Sequence, residues 1–166
     1  MLTSHELYGF MSPKLALEIL IYAFESDKPL YRATMQAVAE ARRVRPVFLE
    51  RQPRSERHAQ MLSTLTRPSL ELVTANLIRT WLVKKHKAML VDFLNALGIQ
   101  HNEGVVEDLP ESMADDKLRP AIDALLAKYP PEAVAVYLHA FNDMNEANWP
   151  NLKTLLESDP RLQLGG

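Results

Sequence analysis

Apolar residues recur at spacings of three and four along most of this chain, the period of helices that bury one face. The first long pattern opens at Ser12-Pro13, a capping residue followed by proline at the first helical position, and runs to about Ser26. Its stretch Leu15–Phe24 is apolar except for Glu18, so this helix belongs in the core. Asp27-Lys28-Pro29 breaks it and opens a second helix with Leu30, Met35, Val38 and Arg42 along one side. Pro53 starts a third, through Met61 and Leu65, ended before Pro68 because a residue preceding proline resists the α region. Ser69 is the expected cap of the longest pattern, Leu70–Leu97, which Gly98 stops in a left-handed C-terminal cap. That segment is one helix, or two meeting near Lys84-Lys85-His86-Lys87.

Beyond Gly98 the chain turns irregular and acidic through Asp116. Residues 118–128 read as helix, with Pro120 admissible only in the first turn. Pro130-Pro131-Glu132 starts a helix through Phe141, and Trp149-Pro150 starts the last, ending about Glu157. The run Val134–Leu138 has strand-like content, but the double proline, the first-turn Glu and the alanines favour helix. No sustained two-residue alternation and no Asn-Gly or Asp-Gly hairpin signal occurs. The expectation is an all-α protein: a single-domain bundle of about seven helices over residues 1–160, with a tail at 161–166. A short α-solenoid of helical hairpins is the second architecture.

The 166 residues are enough for one domain with a sizeable core, and 47% hydrophobic against 24% charged residues is globular composition. Cysteine is absent, which excludes disulfides, thiolate metal sites, iron–sulfur clusters and cysteine nucleophiles. The N-terminus has no basic region followed by an apolar core, and the longest apolar run is too short to cross a bilayer. A cytoplasmic protein without membrane contact is expected.

Charge is sorted along the chain. Residues 1–87 hold 14 Lys and Arg against 8 Asp and Glu, whereas residues 88–166 hold 5 against 13. The basic excess concentrates in Arg42, Arg43, Arg45, Arg51, Arg54 and Arg57, in a connector whose Pro46 and Pro53 limit helix to one short turn around Phe48. Val47, Phe48 and Leu49 are expected to pin that connector to the core. Lys84, Lys85 and Lys87 extend the basic character. Arginine forks suit phosphate and carboxylate alike. Two uses follow: pairing with the acidic half, within a chain or across a homodimer, or binding of nucleic acid or another polyanion.

Other constellations carry less. The helices flanking Arg67-Pro68 lack the small turn residue and the exposed polar set of a DNA-reading helix-turn-helix. The five histidines, His5, His58, His86, His101 and His139, fall into no metal-binding spacing. His101 with Glu103, Glu107, Asp108, Glu111, Asp115 and Asp116 offers oxygen and nitrogen donors, yet without an EF-hand register. His139 reads as a hydrogen-bonded core histidine, and Trp81 and Trp149 as core anchors. Serine-nucleophile and phosphate-loop motifs are missing. The expectation is a non-catalytic module for protein interaction or self-association, with no cofactor and no metal. Polyanion binding is the alternative, and an enzyme with a site near residues 101–116 comes third.

Overall fold

The computed structural model describes residues 1–165. No strand occurs among the described residues, which contain one isolated bridge between Asn102 and Val105. The all-α expectation therefore holds, but the described residues form ten α-helices rather than about seven. They are α1 (Ser4–Phe10), α2 (Pro13–Ser26), α3 (Lys28–Ala41), α4 (Pro46–Glu50), α5 (Arg54–Thr64), α6 (Glu71–Thr80), α7 (Lys87–Leu97), α8 (Asp115–Lys128), α9 (Pro131–His139) and α10 (Pro150–Ser158). Two compact units result: residues 3–81, and residues 82 onward together with Met1 and Leu2. No helix of the described residues is long and apolar enough to cross a membrane.

The three extra helices have separate origins. Helix α1 has no cap of its own; the Glu71 carboxylate on α6 accepts the Ser4 and His5 amides, each at 2.9 Å. Burial works to raise the Glu71 pKa, but these bonds and the His5 side chain outweigh it and hold the group below the usual glutamate range. Helix α4 is a single turn. The long pattern from Leu70 divides because Trp81–Lys85 is a π-helical turn, after which His86 precedes α7. Ser69 is not the cap expected of it: Pro68–Leu70 forms a 3₁₀ turn and no side chain caps α6. Pro120 falls inside α8, which begins three residues earlier than expected, at Asp115.

In the unit of residues 3–81, α2 and α3 pack on each other and on α5 and α6, and α1 packs on α6. Ser12 caps α2 by accepting the Leu15 amide, and the Asp27 side chain caps α3 through Leu30. Ile19, Leu20, Val38, Met61, Leu65 and Ile78 form its buried centre.

The unit from residue 82 is built on α9, whose residues Ala133–Leu138 are all buried. Phe93, Tyr137, Phe141 and Trp149 meet edge to face at centroid separations of 5.1–6.0 Å, a favoured aromatic geometry. Gly98 ends α7 at φ 71°, the left-handed cap anticipated. The expected tail is held at its start: Pro160–Leu162 is a 3₁₀ turn and Leu162 is fully buried. Gly166 of that tail lies outside the described residues.

Candidate functional site

The arginine connector leaves α3 through a left-handed corner. Arg43 has φ 56°, and the Val44 and Arg43 amides return to the carbonyls of Ala39 and Glu40. This is the position glycine usually fills, since a Cβ there crowds the neighbouring carbonyl. Pro46 then starts α4, and Leu49 is its single anchor, fully buried. Val47 and Phe48 are not pinned to the core as expected. They stand 41% and 55% exposed, because a single helical turn can direct only one of three successive side chains inward.

Those two residues, with Val44, Arg45, Arg51 and Gln52, line an open groove of about 570 Å³. Its lining is mainly apolar, with Arg45 and Arg51 as its charged members. The buried Oε1 of Gln52 meets no hydrogen-bond donor among the described residues.

The six arginines separate into two groups. Arg54 and Arg57 stack near the Phe24 ring at 5.3 and 5.9 Å, and Arg57 Nε donates to the Tyr31 hydroxyl at 2.9 Å. Arg42 donates to Thr64 Oγ1 at 3.2 Å. These three hold α2, α3 and α5 together through ring faces and hydroxyls. Arg43, Arg45 and Arg51 are exposed and form no ion pair among the described residues. Among the described residues of their own unit, none of the six arginines lies within ion-pair distance of a carboxylate.

Beneath Arg54 and Arg57 lies a buried polar cluster that sequence reasoning missed. His58 Nε2 is 2.8 Å from the Tyr31 hydroxyl. Arg57 can only donate, so the Tyr31 hydroxyl accepts from Arg57 and gives its own proton to His58 Nε2. This fixes a neutral imidazole protonated at Nδ1. Burial, then the charges of Arg57 and Arg54, lower the His58 pKa to about 4. Burial raises that of Tyr31. The i, i+3 and i+4 placement of Arg54, Arg57 and His58 on one helix was readable in the sequence; the rings they meet on α2 and α3 were not.

The remaining candidates lie elsewhere in the chain. Lys84 and Lys85 lie on the π turn and Lys87 opens α7, all in the unit from residue 82 and not in that of the arginines. Lys87 faces Glu103 at 3.4 Å. Both ring nitrogens of His101 are engaged: Nδ1 accepts the Gly104 amide at 3.0 Å, so Nε2 donates to Asn95 Oδ1 at 2.7 Å. No group of three or more metal-ligating side chains comes together among the described residues. His139 is not hydrogen-bonded as expected. Its Nδ1 faces Asp143 at 3.7 Å, too long for a bond, and that carboxylate oxygen accepts the Leu2 amide instead. Trp81 and Trp149 are fully buried, in keeping with core anchors.

Compared with protein-family models, curated proteins and solved structures, the chain matches none of them.

Proposed function

We propose that this protein is a non-catalytic interaction module whose groove on α4 docks a protein segment carrying both carboxylates and an apolar side chain. The observation that carries the reading is one groove lined by exposed Val47 and Phe48 together with Arg45 and Arg51, two guanidinium groups without carboxylate partners among the described residues. An apolar groove rimmed by forked donors matches the anchor-and-rim composition of protein interfaces. A nucleic-acid track would call for positive charge continued along a backbone path. Here the neighbouring Arg54, Arg57 and Arg42 are occupied by rings and hydroxyls.

The test is fluorescence anisotropy with three labelled probes: a short peptide alternating Glu with Leu, polyglutamate, and poly(U) RNA. The Glu-Leu peptide is expected to bind at low salt, polyglutamate at least about tenfold more weakly, and both Phe48→Ser and Arg51→Glu to abolish binding. Tight poly(U) binding with a steep salt slope, lost in Arg51→Glu but unchanged in Phe48→Ser, would replace this reading with the polyanion one.

A further inference from the structure

We infer that the occupant of the α4 groove is the acidic turn of a second copy of this chain, residues 102–111, so that the protein associates head to tail. The inference rests on the groove reading above and names its partner.

The turn is built for display. Asn102 and Val105 exchange backbone hydrogen bonds at 2.8 and 3.0 Å around Glu103 and Gly104, at φ 52° and 89°. Positive φ at both central residues marks the tight hairpin turn that matches strand twist. Gly104 is required twice over, since a Cβ there would also sit 3.0 Å from Leu90 Cβ on α7. The Gly104 amide is held by His101. Farther on, Trp149 Nε1 donates to the Pro110 carbonyl at 2.9 Å, and Asn151 donates to the Met113 carbonyl at 2.7 Å. Tied at both ends, the segment carries Val105 outward at 53% exposure. Exposed Glu107, Asp108 and Glu111 follow, and none of them forms an ion pair among the described residues.

Turn and groove are complementary in chemistry. One presents an exposed aliphatic side chain followed by three carboxylates without an ion pair among the described residues; the other presents an apolar groove lined also by Arg45 and Arg51, whose guanidinium groups form no ion pair there either. Both surfaces are held by buried anchors, so docking orders little new structure and the ordering cost stays small. A two-fold contact of groove on groove would instead oppose the arginines to each other. A head-to-tail contact leaves one groove and one turn unused at its ends, so association proceeds to a ladder of oligomers or a ring. The contact is small and charge-assisted. It belongs to the weak, salt-sensitive class.

Sedimentation velocity on the full chain, from about 10 µM to about 1 mM at low and high salt, tests this. The wild-type chain is expected to form concentration-dependent oligomers that salt dissolves. Phe48→Ser destroys the groove and keeps the turn, whereas Asp108→Arg destroys the turn and keeps the groove; both positions are exposed, so folding is unaffected. Each variant alone is expected to self-associate at least about tenfold more weakly. Mixed together they are expected to form a one-to-one heterodimer that grows no further, through the groove of one and the turn of the other. A wild-type chain that stays monomeric throughout, variants that oligomerise like the wild type, or a mixture that gives no heterodimer would each overturn the inference. If the Glu-Leu peptide binds the groove while the chain stays monomeric, this inference fails and the groove reading stands. If the peptide also fails, both fall.

Discussion

Acidification from pH 7 to pH 5 is expected to destabilise the unit of residues 3–81 through one side chain, His58. In the folded protein it is buried and neutral, accepts the Tyr31 proton, and lies beside Arg54 and Arg57. Protonation removes that acceptor and places a third cation in the cluster. The pKa falls to about 4 from an ordinary 6.5, so the unfolded chain binds the proton more tightly. The stability from neutral His58 is therefore complete above pH 6.5, erodes as pH falls, and is lost near and below pH 4. Over the whole window it amounts to about 3 kcal/mol, of which about 2 kcal/mol is gone by pH 5. The assay is urea unfolding by circular dichroism at a series of pH values, with hydrogen exchange on peptides from α3 and α5 to localise the loss. His139, whose pKa burial also lowers against the pull of Asp143, contributes a slope of the same sign in the other unit. The comparison with His58→Gln isolates the effect: the variant is less stable at pH 7 but should lose about 2 kcal/mol less between pH 7 and pH 5. Parallel stability curves for the two proteins would refute the assignment of His58 as the buried neutral acceptor. Glu71, whose pKa is lowered, contributes its own loss only at pH below the ordinary glutamate value of 4.5, outside this comparison.

Leu20→Ala and Leu138→Ala, at fully buried positions on α2 and α9, should each cost about 2–5 kcal/mol in urea unfolding; a wild-type midpoint for either would place its helix at the periphery. Arg43→Gly should relieve the left-handed corner and stabilise the fold by about 0.5–1 kcal/mol in urea unfolding. Loss of stability instead would mean that the arginine side chain supports the corner. Pro120→Ala restores a backbone donor inside α8 at an exposed position, and a thermal melt should show a gain of about 1–3 kcal/mol. An unchanged melt would mean that α8 is already relaxed around the proline.

Most of the helices were legible because their signals are local. Ser12-Pro13, Asp27, Gly98, Pro131 and Pro150 act within one turn of where they stand, and the structure uses each as a helix boundary. The misreadings are those where a distant group decides. Seven residues of α1 are too few to hold a helix by themselves, and it exists because Glu71 caps it from α6. Asn151 on α10 donates to the Met113 carbonyl and to Asp115 where α8 begins early, and Leu162 is buried because α9 offers it a surface. The basic connector was visible as a run of arginines, but its division was not. Which guanidinium groups meet Phe24, Tyr31 and Thr64, and which stand free beside Phe48, depends on how α2, α3 and α5 cross. Local sequence thus determined where helices start and stop and where charge collects. Only tertiary packing decided which side chains of Val47-Phe48-Leu49 face the core, because a single helical turn has no periodicity long enough to state its own inside.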